Sequence, residues 1–148
     1  AIGALADGAD PLPVYREPAE SPVSRPKLAK RFPFQLLTCH HREFLHSQFR
    51  NLGGGKGPPP VEVEIHPVPA AARGIENGSR VIVESLRGRI EAAARITERV
   101  PPGVVQIYQG SWLKHGGGVN RLTPDHHPDL GLGTPYYDCL CEVQRKDG

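Results

Sequence analysis

From Val61 the chain alternates: Val61, Val63 and Ile65 are apolar, while Glu62 and Glu64 between them are acidic. This is the two-residue period of a strand with one face in water. The period returns over residues 89–97, where Ile90, Ala92, Ala94 and Ile96 oppose Arg89, Glu91, Arg95 and Thr97. Residues 80–85 form the strand before it, and Leu86-Arg87-Gly88 joins the two as a hairpin. Upstream, residues 34–39 (Phe34-Gln35-Leu36-Leu37-Thr38-Cys39) are a short, largely apolar run after Pro33 that suits a buried strand. Downstream, Pro101-Pro102-Gly103 turns the chain into a strand over 104–108, and a last strand over 139–145 puts Cys139, Cys141 and Val143 on one face, as small core residues. Residues 66–73 read as a short helix entered through Pro67 and stopped by Gly74, with a turn at Asn77-Gly78. Six strands, one short helix and regular turn signals predict a small β-barrel or sandwich.

Residues 1–33 hold six of the sixteen prolines and no sustained period, so they read as an extended linker, with the folded domain over 34–148. Methionine is absent, so the chain does not open on its own start codon and is expected to be part of something longer. Two loops stand out. Residues 40–51 are polar, with room for a helical turn or two, and run into a Gly- and Pro-rich stretch over 53–60 that cannot hold regular structure. Residues 109–135 are rich in Gly, His, Pro and Asp, a long irregular stretch expected to wrap around something.

A length of 148 residues with 38% hydrophobic content suits one domain. No apolar run nears the roughly 20 residues of a membrane helix, and the N-terminus lacks a signal-peptide pattern, so the chain reads as soluble, with no membrane insertion. Three cysteines, with no CxxC pair, leave the compartment open between cytoplasm and periplasm. Charge changes the picture more. Residues 25–56 carry Arg25, Lys27, Lys30, Arg31, Arg42, Arg50 and Lys56 against Glu43 alone, which is +6 within a chain of net +2. The asymmetry suggests an anionic partner, although charges such as Arg25 to Arg31 commonly just face water.

His40, His41 and His46, and His126 and His127 beside Asp125 and Asp129, raise a metal site, but their spacing matches no familiar ligand pattern. A hydrolase lacks a nucleophile: Ser47 is not in a GxSxG elbow, and Ser111 has no strand-to-helix context. Nucleic-acid binding has only the basic charge in its favour, with no interleaving of aromatic and basic residues along a strand. Binding of an anionic ligand fares better. The segment from Thr38 to Asn51 leaves a buried strand directly and offers hydroxyls, amides, imidazoles and guanidinium groups suited to phosphates and a heterocycle edge. The alternative is a solvated turn anchored by Phe44, Leu45 and Phe49.

Three segments resemble the C-terminal molybdopterin-dinucleotide-binding domain of the dimethyl sulfoxide reductase family, which includes formate dehydrogenases and other anaerobic dehydrogenases. The most specific runs Ala70, Gly74, Ile75, Asn77, Ser79, Val81, Val83, Ser85, Gly88, then Ala94, Ile96 and Thr97, with Ser79 where the family usually has an acid. The second is Leu37-Thr38, His40 and Leu45-His46-Ser47-Gln48; the third is Gly110-Ser111-Trp112, Asn120-Arg121-Leu122-Thr123 and Gly133-Thr134-Pro135-Tyr136-Tyr137. The resemblance implies a mainly β fold, a six-stranded double-psi β-barrel of the aspartate-decarboxylase kind with one or two short helices and long loops. It also implies a molybdopterin guanine dinucleotide cofactor carrying molybdenum or tungsten. Thr38, His40, Arg42, His46, Ser47 and Gln48 would form one wall for it and Trp112, Asn120, Thr123 and Tyr137 the other, with no residue here bonded to the metal. Catalysis, an iron–sulfur cluster and contacts to electron-transfer subunits would then belong to the remaining domains of a parent oxidoreductase, leaving this domain inactive alone.

Overall fold

The alternating apolar positions all turn to one side because the strands close on themselves. A computed structural model describes residues 14–52, 58–126 and 133–146. Its strands are β1 (Phe34–Leu37), β2 (Glu62–Ile65), β3 (Arg80–Ser85), β4 (Arg89–Ile96), β5 (Val104–Ile107) and β6 (Leu140–Arg145). They form a closed barrel in the order β1-β5-β2-β4-β3-β6. Two pairs are parallel, β1 with β5 (Gln35 opposite Val104) and β2 with β4 (Val63 opposite Ala94); the other four are antiparallel. Exchanging β1 with β4, β2 with β5 and β3 with β6 maps this pairing onto itself, so the barrel is two similar three-stranded halves. This closed mixed barrel is the double-psi arrangement that the resemblance implies.

The interior is filled from every strand. Phe34, Leu36, Val63, Ile65, Val81, Val83, Ile90, Ala92, Ala94, Val105, Ile107, Cys141 and Val143 are buried in one cluster. Each large aliphatic among them contributes about 1.5–3 kcal/mol on leaving water. Helix α2 (Pro67–Ala71) starts where expected: Pro67 takes the first turn, and the His66 ring accepts from the Val68 amide at 3.2 Å. Asn77 and Gly78 turn the chain, with Asn77 Oδ1 accepting from Ile96 N and Gly78 at φ +83°. The Ser79 hydroxyl accepts from Glu76 N within this turn.

Three local expectations change. Residues 40–51 contain no helix; they form turns around an isolated bridge between Leu45 and Gln48. The segment read as extended holds a helical turn, α1 (Pro26–Ala29), and buries Glu20, Ser21 and Phe32. Glu64, expected on a wet face, is 2% exposed. It lies on β2 between β4 and β5, where Arg95, Arg99 and Gln106 cover it; their nitrogens lie 3.8, 3.9 and 3.5 Å from its carboxylate. Among the described residues no helix is long and apolar enough to cross a membrane.

Candidate cofactor-binding site

Strand direction decides which loops meet. β1 and β5 run parallel, so the segments that follow Leu37 and Ile107 leave the barrel side by side at the same end. β6 is antiparallel to β1, with Gln35 opposite Leu140, so the residues just before β6 reach that end as well. Three stretches far apart in sequence thus converge: the loop after β1, the loop after β5, and residues 133–139.

The first two are laced together by specific bonds. Gln109 N donates to Cys39 O at 3.1 Å. The Gln109 side-chain nitrogen lies 2.8 and 3.0 Å from the two ring nitrogens of His40 and 3.4 Å from Nδ1 of His46. The two imidazoles meet edge to face at 4.8 Å. Trp112 Nε1 donates to the Ser47 carbonyl at 2.7 Å. Gly110, at φ +87°, presses so close that a β-carbon there would fall 1.9 Å from His46 O. Only glycine permits that approach. On the other side of the second loop, Gly88 of the β3–β4 hairpin lies against the Arg121 carbonyl, and Ser85 Oγ donates to Leu122 O at 2.9 Å.

Between the loops lies a cavity of about 400 Å³ lined by Ser47, Gly110, Ser111, Leu113, Gly118, Val119, Asn120 and Arg121. Its side chains offer two hydroxyls, a carboxamide and a guanidinium, and no carboxylate. That donor set fits an anionic ligand with hydrogen-bonding heterocycle edges. The third stretch contributes Tyr137, about half exposed, whose hydroxyl faces the Cys39 sulfur at 4.0 Å; this contact raises the phenol pKa. Burial raises the neighbouring Asp138 carboxyl, against the pull of His126.

Of the residues singled out from sequence, His40, His46, Ser47, Trp112 and Asn120 are gathered here. Gln48 is exposed in the same turn, its amide bonded to Leu45 O. Thr38 is 4% exposed, and its hydroxyl has no hydrogen-bond partner among the described residues. Thr123 is also buried, its hydroxyl 3.4 Å from Asn120 O. Arg42 lies in the same loop with its side chain 90% exposed, and among the described residues its partner is Glu43, at 3.9 Å. Gln109 and Arg121 were not singled out as site residues. Gln109 could have been found as the first polar side chain beyond the Val104 to Tyr108 run, whereas Arg121 carries no signal apart from its neighbour Asn120. Among the described residues no group of three His, Cys, Asp or Glu side chains is placed to hold a metal. Asp125 and His126 are exposed; His127, Asp129 and residues 53–57 lie outside the described residues.

Residues 34–140 match the family model described as the molydopterin dinucleotide binding domain. The probable dimethyl sulfoxide reductase chain YnfF of Escherichia coli strain K12 is 36% identical over 144 residues, covering 91% of this chain and 18% of that protein. Dimethyl sulfoxide reductase DmsA of the same organism is 34% identical over 146 residues, covering 94% and 18%. Among solved structures, acetylene hydratase from Pelobacter acetylenicus superposes with a TM-score of 0.80 at 24% identity, over 94% of this chain and 22% of that one, a likeness of fold. The chain therefore spans under a fifth of the length of these curated relatives, and it belongs to the molybdopterin-dinucleotide-binding domains of the dimethyl sulfoxide reductase family.

Proposed function

We propose that this chain is the cofactor-gripping domain of a larger molybdenum or tungsten oxidoreductase, and that the surface between the loops after β1 and β5 holds one face of a molybdopterin guanine dinucleotide. The observation that carries this reading is the locking of the two loops, through Trp112, Ser47, Gln109 and Gly110, around a cavity rich in donors and free of carboxylates. When bound, the cofactor supplies two-electron redox chemistry at a metal held by its dithiolenes. The residues of this chain bind and orient it. Ser47, Ser111 and Asn120 donate to pyrophosphate oxygens or heterocycle edges, and Arg121 adds charge. His40, His46 and Tyr137 extend the wall, with Thr38 and Gln48 beside them. The metal's protein ligand, the iron–sulfur cluster, the substrate site and any electron-transfer subunit belong to the rest of the parent enzyme, so the isolated domain has no turnover.

A backbone NMR titration of the full chain with guanosine diphosphate tests this. Saturable shifts are expected in the amides of residues 38–51 and 110–126, and Ser47→Ala with Asn120→Ala should weaken them by about tenfold, the equivalent of one or two lost hydrogen bonds. Shifts scattered over the barrel, or unaffected by both substitutions, would remove this surface as the binding wall.

A further inference from the structure

The outer face of the β3–β4 hairpin carries a second cavity, of about 600 Å³, whose lining includes Ile82, Arg89, Glu91, Leu113, Arg121 and Lys146. The antiparallel register sets Ile82 opposite Glu91, with Arg89 two positions before Glu91, so the three share the face turned away from the barrel core. The loop after β5 closes one side. Leu113 and Arg121 line both this cavity and the one assigned to the cofactor, so one stretch of chain is a common wall between them. Gly118 makes that wall close-fitting, since a β-carbon there would fall 2.5 Å from Leu113 Cδ2. Even so, Leu113 is 63% exposed, and Ile82 is half-buried.

The charges in the cavity are unevenly matched. Glu91, the one carboxylate among the described lining residues, is already engaged by Lys146 Nζ at 2.6 Å and Arg80 Nη2 at 2.7 Å. Arg89 and Arg121 are exposed, and among the described residues their guanidiniums meet no carboxylate or other acceptor. Gly88 packs against the Arg121 backbone, its β-carbon position 2.9 Å from Arg121 O, which brings Arg89 and Arg121 close together in the lining. An apolar floor beside two unpaired guanidiniums complements a segment that carries a carboxylate next to aliphatic side chains. Recognition here falls to side chains, because β3 and β4 already have strand neighbours on both sides and offer no free edge. The chain spans under a fifth of its curated relatives, so most of the length of such a protein lies outside it.

We propose that this cavity docks an acidic, apolar segment from another domain of the parent oxidoreductase. Arg89 and Arg121 take its carboxylate, and Ile82 and Leu113 its aliphatic side chains. The inference rests on the reading of this chain as one domain of such an enzyme, and not on where the cofactor's phosphates sit. A segment seated there braces the loop over residues 113–121 from outside the cofactor cavity.

The test follows amide shifts of the full chain by NMR. The probes are an acetylated and amidated Leu-Asp-Leu tripeptide, its Leu-Asn-Leu counterpart and inorganic phosphate, with guanosine diphosphate titrated in parallel. The Asp peptide is expected to shift residues 82, 89–91 and 113–121, and to bind about threefold tighter than the Asn peptide, the worth of one exposed ion pair. Arg89→Gln should erase that preference, and Ile82→Thr should weaken both peptides alike. Neither substitution should alter the guanosine diphosphate response at residues 38–51. The proposal is overturned if the Asp peptide leaves the cavity residues silent or if its preference survives Arg89→Gln. Equal shifts from inorganic phosphate would make this a simple anion site and also overturn it. So would shifts there on dilution, which give the cavity to a second copy of the chain, or on deletion of residues 1–13, which give it to the chain's own segment. A response to guanosine diphosphate with none to the Asp peptide removes this proposal and leaves the cofactor reading standing; the reverse removes the cofactor reading alone.

Discussion

Cys139 and Cys141 lie at the head of β6 and within it, fully buried, the Cys139 thiol donating to Leu122 O at 3.0 Å. Burial pushes the Cys139 thiol from its ordinary 9.0 up to about 12, with the nearby Glu20 carboxylate adding to the rise and Arg87 opposing it. Burial likewise raises Cys141 well above 9.0. A folded thiol that keeps its proton longer than the unfolded one makes stability fall as pH rises. Below about pH 9 both states are protonated and nothing is lost; above it the unfolded chain releases protons that the folded chain retains. Unfolding free energies from denaturant titrations between pH 8 and 10.5 should therefore be flat at first and then drop, by up to about 1.4 kcal/mol per pH unit for each thiol. Replacing both cysteines with alanine should flatten that drop, and an unchanged slope would place the titrating groups elsewhere. The period-2 pattern made these thiols legible as core residues. It could not make Glu64 legible, because an acid on the outer face of a strand reads as wet whether or not arginines from later in the chain fold over it.

Between the barrel and the segment that precedes β1, one buried carboxylate makes the join. Glu20 accepts from the Leu140 amide at 2.7 Å and pairs with Arg87 at 2.9 Å, its own side chain only 4% exposed. It thus satisfies the first amide of β6 and the cation of the β3–β4 turn from a segment whose proline content predicts only an extended linker. Glu20→Gln should destabilise the fold by the lower part of roughly 3–5 kcal/mol, since Arg87 keeps a quarter of its side chain in water. Urea unfolding would measure this, and a double-mutant cycle with Arg87→Ala would separate the ion pair from the bond to Leu140. A loss under 1 kcal/mol would mean the segment only rests on the barrel. The strands themselves were legible to within two residues, because alternation and Gly or Pro turns fix them locally. The segment 40–51 was not: its polar composition suits a helical turn, but Gln109, Gly110 and Trp112, some sixty residues later, claim its backbone and side chains and hold it in irregular turns.

The site exists only because the barrel closes. Its walls come from residues about seventy apart, brought together by the parallel pairing of β1 with β5 and by β6, which seals both β1 and β3. Pairing of this range is a property of the whole chain, so alternation could announce six strands but not which loops would share an end; the family resemblance supplied that. The same construction separates two levels of stability. Strand amides are bonded to neighbours on both sides in a closed ring, so their hydrogen exchange should require global unfolding. The loop amides hang on few bonds, such as Gln109 N to Cys39 O and Gln48 N to Leu45 O, and should exchange through local opening many times faster. Adding guanosine diphosphate at a hundred times its dissociation constant should slow that local exchange by about a hundredfold, if opening the loops releases the ligand. Hydrogen–deuterium exchange read residue by residue decides it. Loop amides that slow with ligand identify the locked loops as the surface that closes on the cofactor. Loop amides indifferent to ligand, while strand amides slow, would mean the ligand sits on another face of the barrel and that the bonds from Gln109 and Trp112 serve the fold alone.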